Sequence, residues 1–348
     1  MLIRVEFSAK TYSDARCDMI RFYKNADGGR VQAAESFSEG CWVDMVNPTD
    51  GECEQIISLT GVGEDMLKAA LDEEERARAE FDDGCSMYII DCPVIEEGAG
   101  GDGYTTLPIA IIYNGKCIIT VSLNGNTVLN DFITGREKIY CDKPVHFALT
   151  FMLCNSTRFL YCLKQIDRKN HRIQAEMERT MRNEEIIQLL DLQNALVYFS
   201  TSLSANDRVH VKLSRAEAVA RQEELTDLSE DVQIETRQAI ETCEVYKNIL
   251  SVTMDAYGSV ISNNSNNSMR TLTVITILLA VPTMIAGFWG MNMPVPFQSG
   301  IEFFETGWFW LVILGALMLT GAIAVFMLKA PRRTGGRKKH RNKKRDKK

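Results

Sequence analysis

The sequence predicts an α/β domain at the front, a long helical region behind it, and two membrane-spanning helices near the C-terminal end. Three observations carry that reading. The first 145 residues hold several short runs rich in Ile, Val and Tyr. Proline is absent between Pro144 and Pro282 while Glu, Lys, Arg, Leu and Gln dominate. Two runs without a charged residue follow, Thr271–Trp289 with nineteen residues and Gly307–Leu328 with twenty-two. A helix needs about 20 apolar residues to cross the hydrocarbon core of a bilayer, so both runs qualify. Buried helices of a soluble core are normally amphipathic, whereas these are apolar nearly all round.

Within the 348 residues, 45% are hydrophobic and 24% charged, which excludes wholesale disorder. Eight prolines and 23 glycines exclude a collagen-like chain. The net charge of −7 conceals two opposed regions. Residues 329–348 contain twelve Lys and Arg and one acid, Asp346, so this tail is +11 and the rest of the chain is −18. The ten cysteines are irregularly spaced without a Cys-x-x-Cys pair, and Met1–Lys10 is polar and mixed, unlike a secretory signal. They read as reduced thiols serving as small hydrophobes.

Along the α/β part (residues 1–145), Leu2–Phe7, Ser86–Val94, Pro108–Tyr113 and Lys116–Ser122 read as strands. Asn114-Gly115 joins the last two and signals a type I′ hairpin. Thr49-x-x-Glu52 after Pro48 has capping-box spacing and predicts a helix start. Gly98–Gly103 (GAGGDG) reads as a flexible loop, not as a phosphate cradle, because no helix evidently follows it.

The helical region and stalk occupy residues 146–268. Lys164–Leu203 reads as one amphipathic stretch, with Ile166, Ile173, Met177, Met181, Ile186, Leu189 and Leu192 at near-helical spacing. A second stretch runs from Glu223 toward the membrane with apolar stations at Leu225, Leu228, Val232, Ala239, Cys243, Tyr246, Leu250 and Tyr257. Two outcomes remain open there. Either the helix breaks at Asn263, Asn264, Asn266 and Asn267, which are poor helix formers, or it continues into the first span as one helix of about 65 residues. So long a helix with acidic faces needs neighbours, which points to self-association.

The membrane part is residues 269–328, with spans 271–289 and 307–328 and a loop, 290–306, that has two acids and no Lys or Arg. Arg270 and the basic tail flank the other ends, so both termini face the cytoplasm and the loop faces outward. At 100° per residue, Met269, Thr276, Ala280, Thr283 and Gly287 share one narrow face of the first span, with Leu272 and Thr273 at its borders. Such a small-and-hydroxyl stripe packs either against another helix or against water. Two spans cannot enclose a pore, so a conduction pathway would lie on the axis of an oligomer. Pro282 either kinks the span or is relieved by a hydroxyl such as that of Thr283.

Directly after Trp289 stand Gly290, Met291 and Asn292. Thr283–Asn292 (TMIAGFWGMN), two C-terminal spans, Trp42-Val43-Asp44 with Asn47-Pro48-Thr49, and the acidic segment Glu80–Asp83 together resemble the CorA-type magnesium/cobalt transport channels. Trp289 departs from the Tyr or Phe usual at that position in the family. The resemblance implies a funnel-shaped homopentamer whose stalk helices continue into a pore-lining first span. It implies a selectivity filter at Gly290, Met291 and Asn292. Polar pore rings follow at Thr283 and Thr276, a hydrophobic constriction at Leu272 and Met269, and a further polar ring at Asn266. It also implies regulation by cytoplasmic Mg²⁺ bridging acids between subunits: Asp231 first, with Asp82 or Asp83 as its partner, and Asp255 as a second candidate. Carboxamide oxygens suit the water shell of an ion that dehydrates reluctantly, and a Leu/Met ring closes by dewetting.

The expected function is therefore uptake of hydrated Mg²⁺, with Co²⁺ or Ni²⁺, across the cell membrane, with Mg²⁺ both cargo and regulator and no organic cofactor. A zinc transporter of the same superfamily is the alternative, and a two-pass signalling receptor is a further one. No nucleophile–base pair, metal-hydrolase motif or P-loop suggests an enzyme. The tail, which has no aromatic residue among its charges, reads as a partner for anionic lipid rather than nucleic acid.

Overall fold

The computed structural model describes residues 20–26, 28–82, 84–98, 101–180, 183–289 and 308–329. The expected strand at Leu2–Phe7, the filter tripeptide, Asp83, the loop 290–306 and the basic tail past Lys329 lie outside these residues. The chain divides into two compact units, Met1–Met254 and Asp255–Lys348.

The first unit is built on a seven-stranded sheet in the order β2-β1-β3-β7-β6-β5-β4. Its strands are β1 (Ile20–Ala26), β2 (Arg30–Ala34), β3 (Trp42–Val46), β4 (Arg78–Asp82), β5 (Cys85–Gly98), β6 (Gly101–Tyr113) and β7 (Ile118–Ser122). Only β3 and β7 pair in parallel; the other neighbours are antiparallel. Helices α1 (Asp50–Thr60) and α2 (Glu64–Ala69) accompany it, with α3 (Thr127–Ile133), α4 (Pro144–Thr180), α5 (Asn183–Ser214) and α6 (Glu217–Arg221). Helix α7 (Glu223–Trp289) and helix α8 (Trp308–Lys329) complete the order.

Both faces of the sheet are covered, which is why its central strands read as unbroken apolar runs rather than as alternation. One face sends Val43, Met45, Ile89, Ile112 and Val121 against Cys53 and Ile56 of α1 and Leu67 of α2. The other sends Trp42, Ile90, Ile111 and Ile118 against Phe132, Phe147, Phe151, Val209 and Leu213. Helix α1 starts as its capping box requires: the Glu52 amide donates to the Thr49 hydroxyl, and the Thr49 amide donates to the Glu52 carboxylate at 2.8 Å.

Three local expectations need correction. The β6–β7 connection is a four-residue loop, since Tyr113 pairs with Ile118, and Gly115 alone in it has positive φ. A type I′ turn needs positive φ at both central residues. Here the Asn114 carboxamide closes the loop instead, accepting from the amides of Lys116 and Cys117 at 3.0 Å. The Gly98–Gly103 segment is the tip of a long hairpin, with Gly98 opposite Gly101 and Glu96 opposite Gly103, because ladder pairing outweighs the looseness of glycine. The Lys164–Leu203 stretch is two helices, α4 ending at Thr180 and α5 beginning at Asn183. They fold back on each other, with the rings of Phe159 and Phe199 5.1 Å apart.

That long hairpin explains two prolines inside strands. β4 pairs with β5 only as far as Ile89, and β7 pairs with β6 only from Ile109. Pro93 and Pro108 therefore stand where one side of the strand has no ladder to serve. At the point where β4 stops, Asn206 of α5 substitutes for a neighbouring strand. Its Oδ1 accepts from the Asp91 amide at 2.9 Å and its Nδ2 donates to the Asp91 carbonyl at 2.8 Å. Asn155 of α4 donates to the same carbonyl at 2.8 Å.

Helix α7 is continuous for 67 residues, so the four asparagines do not break it. Its expected apolar stations Leu225, Val232, Ala239, Cys243 and Leu250 are buried. Polar bonds fix its register in the first unit: Ser156 to Thr236 at 2.8 Å from α4, and the Cys243 thiol to the Leu196 carbonyl at 3.4 Å from α5.

Candidate functional site

The second unit contains the membrane part of α7 and all of α8. The most apolar eighteen-residue window of α7 is only 6% buried, which is the reverse of a soluble core helix. α8, with 22 residues, is about 33 Å long and matches the hydrocarbon thickness.

Most of the covered residues of the first span lie on one face. Val274 is buried, and Ile277, Val281 and Ile285 are half-buried. On α8 the covered stripe is Ala316, Thr320, Ile323 and Ala324. At 100° per residue the Val274–Ile285 face lies opposite Met269, Leu272, Thr276, Ala280, Thr283 and Gly287. These six residues are all exposed, Met269 at 62% and Leu272 at 65%. Asn266, one turn before Met269 on α7, is exposed as well.

The hydroxyls on this span are turned down onto their own helix. Thr273 donates to Met269 O and Thr276 to Leu272 O, each at 2.9 Å, and Thr283 to Leu279 O at 2.7 Å. Each still has lone pairs to offer outward. The Thr283 bond does not relieve Pro282 in the way expected. Pro282 lacks the N–H that would reach Leu278 O, whereas the hydroxyl goes to the next carbonyl along.

The acidic candidates lie at three places along the chain. Asp82 ends β4, Asp231 is on α7 within the first unit, and Asp255 opens the second; all three are exposed. Among the described residues no group of three or more His, Cys, Asp or Glu is arranged to hold a metal ion.

The Trp42-Val43-Asp44 and Asn47-Pro48-Thr49 motif is structural. Trp42 is fully buried, with its ring 4.9 Å from Tyr23 and 5.4 Å from Phe147. Its indole donates to Thr120 Oγ1 at 2.9 Å, and that hydroxyl lies 2.9 Å from Asp44 Oδ1. Burial pushes the Asp44 carboxyl up, opposed by the Thr120 bond and by Arg21, its cross-strand neighbour. Asn47, at φ 47°, turns the chain into Pro48 and the Thr49 cap.

Sequence reasoning missed the polar groups buried between the sheet and the helices. Burial pushes Asp91 up to about 6, against a lowering bond from Ser202. Asn155, Asn206 and His210 interrupt the apolar stripes of α4 and α5, and that interruption was the available signal.

A family model described as CorA-like Mg2+ transporter protein matches residues 37–333. The chain belongs to the CorA-like family. The Cobalt/magnesium transport protein CorA of Methanocaldococcus jannaschii is 28% identical over 284 residues, covering 80% of this chain and 86% of that one. The complete structure of the CorA magnesium transporter from the same organism superposes with a TM-score of 0.70 at 24% identity, covering 92% of this chain and 99% of that one. The cytoplasmic domain of ZntB from Vibrio parahaemolyticus shares the fold at a TM-score of 0.54 and 13% identity, covering 71% and 98%. At these identities the two structures speak for the fold alone. The chain is thus a CorA-like divalent-cation transporter, a membrane protein with an α/β soluble domain and a long helix.

Proposed function

We propose that this CorA-like chain assembles as a homopentameric channel for passive uptake of hydrated Mg²⁺, with Co²⁺ and Ni²⁺ as further cargo. The observation that carries the reading is the exposed stripe of the first span, on the side of α7 opposite its covered face. Five such stripes around an axis make a lumen ringed by Asn266, Met269, Leu272, Thr276 and Thr283. The hydroxyl oxygens there contact the ion's water shell, and Met269 and Leu272 form the segment that closes by dewetting. Gly290, Met291 and Asn292 form the outer filter, where a ring of neutral carboxamides holds a hydrated divalent ion weakly enough to release it.

Both termini face the cytoplasm, and the basic tail lies against anionic lipid. When cytoplasmic Mg²⁺ is plentiful, it bridges Asp231 of one subunit to Asp82 or Asp83 of the next, with Asp255 as a second bridging position. The stalks are then held together and the constriction stays closed. Loss of the ion lets repulsion between exposed carboxylates part the subunits. The exposure of Asp82, Asp231 and Asp255, with no group of three or more metal-binding side chains among the described residues, supports an intersubunit site.

The test is Mg²⁺ entry into proteoliposomes carrying the purified protein and, separately, Asn292→Ala. Flux driven by the Mg²⁺ gradient and voltage, lost in the variant, is the expected result. Unchanged flux in Asn292→Ala removes the filter assignment. Zn²⁺ movement coupled to protons, with no Mg²⁺ flux, overturns the magnesium reading.

A further inference from the structure

His210 lies on α5 with its side chain buried, at 3% exposure. Its Nε2 is 3.0 Å from Ser229 Oγ on α7, while Nδ1 is enclosed without a hydrogen-bond partner. Val209, Leu213, Leu225 and Val232 belong to the apolar cluster around this contact. Two residues further along α5, the Lys212 ammonium donates to the Ala79 carbonyl of β4 at 3.2 Å. One turn of α5 therefore grips two other segments: α7 two residues before Asp231, and β4 three residues before Asp82.

We propose that His210 is a positioning residue for the Mg²⁺ control of this channel, and that proton binding to it loosens the α5–α7 tie and raises the Mg²⁺ concentration needed for closure. The proposal rests on the regulatory reading of Asp231 and Asp82 given above. If the two acids are to meet an ion shared with a neighbouring subunit, the distance between β4 and α7 in each subunit must be fixed. The His210 and Lys212 contacts supply that spacing.

The electrostatics favour a neutral imidazole in the tied state. Burial lowers the His210 pKa from its ordinary value; Asp207, one turn back on α5, and a bond to the Ser229 backbone oppose that only in part. The other charged groups on elements around the contact are engaged elsewhere or turned out. Glu230 and Asp231 of α7 are exposed. On α6, Glu217 and Arg221 pair with each other at 2.7 Å. Arg78 of β4 pairs with Glu75 and Glu80. Asp91 of β5 is bonded by Ser202, and His146 of α4 sits beside Thr150 and is influenced by the charge of Glu224. An imidazolium has two donors, and among the described residues Nε2 has Ser229 beside it while Nδ1 has no acceptor. The tied state binds fewer protons than a loosened one, so acid shifts the balance toward loosening as pH falls through the ordinary histidine range.

The experiment uses the purified full chain and reads its protection from a protease active at both pH values while Mg²⁺ is titrated at pH 7.5 and pH 6.0. For the wild type, the Mg²⁺ midpoint should rise about two- to fourfold at the lower pH, about fourfold being the most that one proton on a histidine of ordinary pKa about 6.5 allows between these two pH values. In His210→Gln the midpoint should be the same at both. His171→Gln, at an exposed position on α4, should keep the wild-type response. If His210→Gln fails to assemble, Ser229→Ala replaces it, and the difference between the two pH values should shrink because the tie is already cut. A full pH shift retained in the His210 or Ser229 variant overturns the proposal, as does a wild-type midpoint that ignores pH. If Mg²⁺ protects the wild type at neither pH, the regulatory reading itself fails and the proposal falls with it, an outcome distinct from the other two.

Discussion

Trp42 and Leu272 are both large apolar side chains, and the fold treats them oppositely. Trp42 is sealed between a sheet and a helix, its indole N–H satisfied by Thr120, its ring held by Tyr23 and Phe147. Leu272 stands two-thirds exposed on α7 beside Met269 and Thr276, with the covered side of the helix facing the other way. In the sheet of the first unit, even the ladder positions that β4 leaves open on β5 are filled by Asn155 and Asn206. Along the first span the chain leaves a surface that only lipid, water or further copies can finish. The sealed core around Trp42 holds the scaffold, and the exposed stripe is the surface that the proposed channel would use.

The largest expected effect breaks the scaffold side of this contrast. Trp42→Ala leaves a cavity and strands the Thr120–Asp44 pair, so denaturant unfolding of the protein should show a loss of about 3–5 kcal/mol. An unchanged midpoint would mean the first unit does not depend on its own core.

A smaller effect concerns the buried acid on β5. The Asp91 carboxyl is raised from an ordinary 3.8 to about 6. The native state thus favours the protonated form, and its contribution is full below the ordinary value and lost as pH rises through about 6. Asp91→Asn should match the wild type near pH 4 and exceed its stability by about 2 to 3 kcal/mol at pH 8, the size of a two-unit shift. Equal stability curves across that range would show that the carboxyl is better solvated than its surroundings indicate.

The smallest effect sharpens the comparison at a single cap. Thr49→Ala removes one side of the capping box and should cost about 1 kcal/mol, with no change in ion flux, because α1 lies in the scaffold. A change in flux at intact stability would tie α1 to the working surface.

Much of this organisation was legible in the sequence. The Thr49–Glu52 box, the β6–β7 pair and the two apolar spans depend on local spacing, and local spacing is what a sequence displays. The continuity of α7 through Asn263–Asn267 was not legible, because helix propensity costs only tenths of a kcal/mol per residue and long-range context decides. The turn at Asn114 was misread because a side-chain carboxamide took over the bonds that a type I′ turn would have made. Asn206 at β5 and His210 against Ser229 join residues 115 and 19 positions apart, a relation that no local pattern encodes. The stripe on the first span was visible as a pattern, but that it faces away from the covered side of α7 required the fold.

The most direct test of the central claim compares two leucines on that span. Leu272 and Leu278 are both exposed, at 65% and 39%, and lie about 120° apart around α7. Mg²⁺ flux into proteoliposomes, measured with high Mg²⁺ on the cytoplasmic side, should rise in Leu272→Ala, because the dewetted constriction is widened, and should stay at the wild-type level in Leu278→Ala. Equal flux in the two variants, or a leak through Leu278→Ala alone, would contradict the assignment of the exposed stripe as the pore lining.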